Sequence, residues 1–243
     1  MVDAEKIIKM APKAMQTMLN SVYNYNMRFL LSETEEKLLD KILFAMARID
    51  RRYFYPEDEA YEDTALPIGY GQTISQPSTV ARMLILADLK KGDNVLEVGT
   101  GSGWNAALIS YLVFPGNIIS VDRIYKLIES AQKNVSALRS HLKQKHPHDV
   151  DKIDKLNMYA ENVFEKGKAW KKKYDKIIVT AGIEPGKESQ IKKLAQNLLK
   201  RKGILVCPYT SGPMLVYKKN GILREYTTKE EYFFVPLLNQ KVE

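Results

Sequence analysis

Between Glu35 and Ile49, apolar side chains recur at steps of three and four: Leu38, Leu39, Ile42, Leu43, Met46 and Ile49. That period gathers them on one face, so an amphipathic helix is predicted over Glu35–Ile49. The run Arg51-Arg52-Tyr53-Phe54-Tyr55-Pro56 breaks it, because proline disfavours helical backbone at the residue before it. A turn-rich stretch, Leu66-Pro67-Ile68-Gly69-Tyr70-Gly71-Gln72, precedes a second helix. Pro77 suits the first turn of that helix, Val80, Met83, Leu84 and Ala87 form its buried face, and Gly92 lies near its end.

From Asn94 onwards two periods alternate. Short apolar runs at Asn94–Val98, Ile118–Val121, Leu156–Tyr159, Lys176–Val179 and Ile204–Val206 read as buried strands. Helical spacing returns in Trp104–Leu112, in Ile124 through Leu138, and in Ile191, Leu194, Ala195, Leu198 and Leu199. Alternation of this kind predicts an α/β fold with a doubly wound, mainly parallel, Rossmann-like sheet. Asn220-Gly221, set between Met214-Leu215-Val216-Tyr217 and Ile222-Leu223, predicts a C-terminal β-hairpin. No repeat or low-complexity linker interrupts the chain. Residues 1–63 are therefore expected to form an N-terminal helical extension packed on the core, and residues 64–243 the main domain.

Composition narrows the classes. A chain of 243 residues, 45% hydrophobic and 27% charged, has the make-up of an ordinary globular protein. Its single cysteine, Cys207, has no partner for an internal disulfide, and His141, His146 and His148 lack the spacing of a metal site, so no metal is expected. Met1–Met10 holds no apolar signal core, and nowhere do about 20 apolar residues run together. The cytoplasm is the expected compartment, and no membrane contact is expected. The formal charge of +8 and the cluster Lys166–Lys173 are compatible with a nucleic-acid partner, but a solvated basic face explains them equally well.

The candidate chemistry begins where the first strand ends. Glu97-Val98-Gly99-Thr100-Gly101-Ser102-Gly103 places a glycine-rich turn between a strand and a helix, where ligands of such sheets bind. The spacing Gly-x-Gly-x-Gly, with Trp104 next, departs from the dinucleotide fingerprint, and the absence of Gly-Lys-Ser/Thr excludes a P-loop. Glu97 before the turn suits a ligand with positive charge. S-adenosyl-L-methionine carries a sulfonium and an ammonium, whereas a pyrophosphate would be repelled. Asp122, at the end of the second strand, is placed to accept both hydrogen bonds of a ribose diol, and Glu161, after the third, to meet the adenine amino group. Each acid has a plainer reading as a helix cap or a solvated loop residue.

One stretch is more specific. Leu66-Pro67-Ile68-Gly69-Tyr70-Gly71-Gln72-Thr73-Ile74-Ser75-Gln76-Pro77 resembles the signature of the protein-L-isoaspartate (D-aspartate) O-methyltransferases, which repair damaged aspartyl and asparaginyl sites. Val95 through Trp104 is similar to that family's first cofactor motif, and Ser120-Val121-Asp122-Arg123 to its ribose motif, with Asp where Glu is more usual. Tyr174-Asp175 through Ile178-Val179-Thr180-Ala181 resembles its fourth-strand segment, and Phe234-Val235-Pro236-Leu237 its C-terminal substrate-binding stretch. The likeness runs in order from about Ile42 to Leu237. It implies the class I S-adenosylmethionine-dependent methyltransferase fold and transfer of a methyl group to the free carboxylate of isoaspartyl residues in damaged proteins. It also implies a cofactor site of Gln72, Thr73, Ile74, Ser75, Glu97, Gly99, Thr100, Gly101, Gly103, Asp122, Arg123, Glu161 and Asn162. Ser75 is then the catalytic residue and, with Val235, Pro236 and Leu237, a contact for the peptide. Taken alone, Ser75 reads more readily as a helix cap ahead of Pro77 than as a functional residue.

The chain departs from the family's pattern in places. Ala160-Glu161-Asn162 stands where Gly-Asp-Gly is expected after the third strand, and Pro208-Tyr209-Thr210 where Pro-Val-Gly is expected after the fifth. Arg139–Asp154 is longer and more charged than usual and reads as a surface excursion, and the first 30 residues have no counterpart. Two other functions stay open: an RNA methyltransferase, and an S-adenosylmethionine-binding module without turnover. Against the first, Thr180-Ala181-Gly182 stands where an Asn/Asp-Pro-Pro-Tyr motif would be, so no nucleic acid is expected.

Overall fold

The computed structural model describes residues 3–239. Three helices lead the chain: α1 (Ala4–Met10), α2 (Lys13–Met27) and α3 (Glu33–Arg48). α3 is the helix read from the Leu38–Ile49 period. Its start is fixed by Ser32, whose side chain accepts a hydrogen bond from the Glu35 amide at 3.3 Å, while Glu35 reaches back to the Leu31 amide at 2.6 Å, a variant of the capping box. The turn-rich run then folds as a small antiparallel hairpin, β1 (Leu66–Gly69) and β2 (Gln72–Ile74).

The main sheet follows. In chain order come α4 (Pro77–Leu86), β3 (Val95–Val98), α5 (Trp104–Val113), β4 (Ile118–Asp122), α6 (Tyr125–Lys145) and β5 (Leu156–Ala160). Then come β6 (Tyr174–Val179), α7 (Glu188–Leu198) and β7 (Leu199–Pro208). After short β8 (Ser211–Gly212), the hairpin β9 (Met214–Asn220) and β10 (Ile222–Thr227) completes it, and β11 (Tyr232–Phe233) pairs with β8 as a separate two-stranded sheet. Seven strands lie in the order β10-β9-β7-β6-β3-β4-β5. The five from β7 to β5 are parallel to one another, and β9 and β10 are added antiparallel at the β7 edge. The chain leaves β3 towards β4 on one side and later returns to β6 on the other. β3 therefore lies at the switch point, where the loops part and leave a crevice.

Alternate side chains of the strands feed two cores. Val95, Ile118, Ile178, Ile204 and Val216 face a core shared with α1 to α5. Leu96, Val98, Ile119, Val121, Ile177 and Leu205 face another, covered by α7. The N-terminal helices thus share the core of the sheet. The segment 139–154 corrects the surface-excursion expectation: α6 runs on to Lys145, and a 3-10 turn over Pro147–Ile153 folds against α5. Tyr111 donates to Asp149 at 3.0 Å, Ser110 to the Lys152 carbonyl at 2.9 Å, and Leu142, Val150 and Ile153 are buried. These three apolar residues lie at irregular intervals among charges, so no period marks the segment as packed.

One side chain joins the extension, the hairpin and the sheet layer. Arg51 is fully buried just after α3. Its guanidinium donates to four backbone carbonyls: Ala60 at 2.8 Å, Glu62 at 3.2 Å, Thr64 at 3.1 Å and Ser75 at 3.1 Å. It also packs 5.2 Å from the Trp104 ring, and the Trp104 indole donates to the Ile49 carbonyl at 3.0 Å. Burial pulls the Arg51 pKa down to about 10, and the group still remains a cation at neutral pH. Lysine cannot reproduce this planar fork of donors. Replacing Arg51 with Met leaves four buried carbonyls without a donor, and should lower unfolding free energy in urea by at least about 3 kcal/mol. Arg51→Lys should recover only part of the loss; full stability in Arg51→Met would show that water replaces the guanidinium without cost.

Candidate active site

The glycine-rich turn leaves β3 at Val98, and its backbone is fixed from both sides. Thr180, at the end of β6, donates its hydroxyl to the Gly99 carbonyl at 2.6 Å, and a Cβ on Gly99 would collide with that hydroxyl. Gly103, the residue before α5, has φ +88° and faces Ala131 of α6 so closely that a Cβ there would sit 3.0 Å from it. Gly103 borders neither cavity described below; it lets α5 and α6 approach.

Glu97 supports the same turn from below. It is completely buried beneath the turn and borders neither cavity. Asn105 Nδ2 donates to its Oε1 at 2.8 Å and Ser120 Oγ to its Oε2 at 2.5 Å, while Thr100 and Ser120 share a hydroxyl hydrogen bond of 2.6 Å. Since the Ser120 proton goes to Glu97, Thr100 is the donor of that pair. Burial pushes Glu97 up to about 8, against the opposing pull of Ser120 and Asn105.

Asp122 ends β4 and ties the neighbouring loops together. Its Oδ2 accepts from the Gly101 amide and its Oδ1 from the Ile124 amide, both at 3.0 Å. Burial raises its pKa, and these two amides oppose the rise. Asp122 lines a first cavity with Gln72, Gly99, Val121, Arg123, Ile124, Glu161, Asn162, Val163, Ala181, Pro236 and Leu237. Here the plainer reading of Glu161 gains ground. Its carboxylate accepts from the Lys168 amide at 2.8 Å and the Ala169 amide at 3.2 Å, capping the 3-10 turn Lys168–Lys171. Asn162 braces the same loop through its own side chain, accepting from the Phe164 amide at 3.0 Å. The two glycines absent from this stretch are thus replaced by a side-chain scaffold.

A second cavity lies over the glycine turn. Gln72, Thr73, Ile74 and Ser75 border it with Gly99, Thr100, Gly101, Ser102, Asn105, Thr180, Ala181 and Val235. The hairpin strand β2 therefore lies across the turn, and Gln72, Gly99 and Ala181 border both cavities. Ser75 is not the cap of α4. Gln76 holds that position, and the helix start is tied down by Asp63, which accepts from the Ser78 amide at 2.8 Å and its hydroxyl at 2.5 Å. Ser75 is held by its carbonyl through Arg51, and its hydroxyl makes no hydrogen bond among the described residues. Val235–Leu237 is pinned beside it: the Gly182 amide donates to the Val235 carbonyl and the Leu237 amide to the Gly182 carbonyl, each at 2.7 Å.

Most residues expected at the site thus border one crevice at the carboxyl ends of β3, β4 and β6. Sequence reasoning missed Asn105, Thr180 and Ala181. Asn105 follows the glycines within the first turn of α5, and that position was its only signal. Its Oδ1 is buried and receives no hydrogen bond among the described residues, an arrangement that costs about 1–3 kcal/mol unless a ligand supplies a donor. Arg48, His146 and Asp149 form a separate polar contact on the far side of α3. Among the described residues no group of three or more metal-ligating side chains occurs, and no helix is long and apolar enough to cross a membrane.

Residues 26–242 match the family model of protein-L-isoaspartate(D-aspartate) O-methyltransferase. A protein-L-isoaspartate O-methyltransferase of Ignicoccus hospitalis is 38% identical over 207 residues, which cover 81% of this chain and 88% of that one. One from Pyrococcus horikoshii is 44% identical over 164 residues, 66% of each chain. Among solved structures, a Plasmodium falciparum chain described as a protein-L-isoaspartate O-methyltransferase, in complex with S-adenosyl-L-homocysteine, superposes with a TM-score of 0.70. It covers 91% of this chain and 98% of its own at 22% identity, a likeness of fold. The glycine turn, the strand laid across it and the matched length converge: this chain belongs to the protein-L-isoaspartate (D-aspartate) O-methyltransferase family.

Proposed function

We propose that the protein transfers a methyl group from S-adenosyl-L-methionine to the free carboxylate of L-isoaspartyl and D-aspartyl residues in damaged proteins. The methyl ester then closes without further help to a succinimide, which opens in part to normal aspartate. The methyltransferase domain is residues 64–243, with residues 1–63 as its helical extension. The observation that carries this reading is the pair of cavities meeting at Gln72, Gly99 and Ala181, one lined by Asp122 and the other by Ser75. A long ligand with a nucleoside at one end and an amino acid at the other matches that division. The sulfur between them would then lie near Ser75.

The residues present fit the cofactor. Asp122 would hold the ribose diol, Arg123, Glu161 and Asn162 would line the adenine end, and Thr100 and Gly101 the amino-acid end. When bound, the cofactor supplies an electrophilic methyl on a sulfonium. The isoaspartyl carboxylate is ionised at neutral pH, so its oxygen attacks the methyl carbon, the carbon–sulfur bond breaks and its electron pair stays on sulfur. No base is needed. The work of the protein is alignment and exclusion of water. Ser75, whose hydroxyl is uncommitted, would donate to the carboxylate and orient it, while Val235, Pro236 and Leu237 would hold the peptide beside it.

The purified protein, labelled S-adenosyl-L-methionine and three acceptors provide the test: an isoaspartyl peptide, its normal-aspartyl twin and total RNA. Label is expected on the isoaspartyl peptide alone, in a form released by mild base. Equal labelling of the twin, or base-stable label in RNA, would overturn the assignment. Ser75→Ala should lower turnover by about 10- to 100-fold while leaving cofactor affinity within a few-fold. Asp122→Ala should chiefly weaken cofactor binding, by about 10-fold or more. A fully active Ser75→Ala variant would remove the hydroxyl from the mechanism.

A further inference from the structure

Everything that touches the Glu97 carboxylate either donates a hydrogen bond or repels it. Asn105 of α5 and Ser120 of β4 donate directly, Thr100 of the glycine turn donates to Ser120, and the charged group facing it is another carboxylate, Asp122. No salt bridge reaches Glu97 among the described residues. Asn105 stands between this acid and the second cavity, offering its amide nitrogen to Glu97 and leaving Oδ1 unpaired.

An amide has one donating end and one accepting end. With Glu97 ionised, the nitrogen must turn to the carboxylate, and the oxygen is left for the cavity. With Glu97 protonated, the acid has a proton to donate, and the amide can reverse to accept it, presenting its nitrogen to the cavity instead. A cationic group arriving there is attracted by the first arrangement and repelled by the second. We propose that Asn105 Oδ1, oriented by Glu97, accepts a hydrogen bond from the α-ammonium group of the cofactor, and that binding expels to solvent the proton that Glu97 holds in the free protein. This rests on the cofactor assignment above and assigns its amino-acid end. Glu97 acts as a positioning residue that never touches the ligand. Its burial raises its pKa and so favours the acid form before the ammonium arrives, against the pull of Ser120 and Asn105.

Titration calorimetry with S-adenosyl-L-homocysteine, which carries the same ammonium, tests the coupling. At pH 7, in buffers of different ionisation enthalpy, close to one proton should be released per ligand, fading above about pH 9. Glu97→Gln should abolish the release. Asn105→Ala should weaken S-adenosyl-L-homocysteine by about 10-fold or more and leave 5′-methylthioadenosine, which lacks the amino-acid end, bound as in the wild type. Absence of proton release from the wild type, or equal loss of both ligands in Asn105→Ala, would overturn the proposal. These two arms suffice if Glu97→Gln does not fold. A wild-type protein that binds neither ligand would remove the cofactor assignment itself, so the two failures are distinguishable.

Discussion

The arrangement around the site depends on a buried guanidinium. Arg51 stands at the end of α3 and converts four separate carbonyls, drawn from Ala60 to Ser75, into one fixed cluster. Such a group is costly to bury without partners, and here backbone dipoles supply them in place of a carboxylate. The consequence is positional. Ser75 is anchored through its main chain, so its hydroxyl is free of structural duty, and the N-terminal helices are bound to the hairpin that lies over the glycine turn. The helical extension thereby sets where the Ser75 end of that hairpin rests.

The acids of the crevice are used in the same economical way. Asp122 binds the Gly101 and Ile124 amides, Glu161 binds the Lys168 and Ala169 amides, and Glu97 binds Asn105 and Ser120. Asp122 and Glu161 shape backbone, and Glu97 fixes two side chains beneath the turn. The loop after β5 is built from Glu161 and Asn162, whose side chains hold the Lys168, Ala169 and Phe164 amides. Ala160 and Asn162, standing where the family pattern has glycines, therefore change the scaffold of this loop rather than remove it.

Much of the fold was legible in the pattern of side chains. The Leu38–Ile49 period gave α3, the runs at Leu96, Ile119, Ile177 and Leu205 gave parallel strands, and Asn220-Gly221 gave the β9–β10 hairpin. What escaped lacks a period. β8 and β11 are two residues each, and the packed turn at Pro147–Ile153 hides its apolar residues among charges. The glycine turn and Asp122 were legible because backbone geometry and strand ends leave marks in sequence. Whether an acid is exposed is a tertiary property: Glu97 looks like a ligand-facing residue until α5 brings Asn105 over it. Arg51 sits in a run that reads only as a helix breaker, and nothing local announces that four distant carbonyls await it.

Gln72 borders both cavities and belongs to a strand of three residues paired with β1 alone. Two-stranded hairpins have little stability of their own, and this one is fastened at its Ser75 end, while Tyr70 at its tip is exposed. Leu66 and Ile74, at the fastened end, are buried in the core, so opening confined to the tip breaks only the pairing near Gly69 and Gln72, a small part of the global unfolding free energy. The molecule thus has a cover whose hinge is rigid and whose free edge is weak.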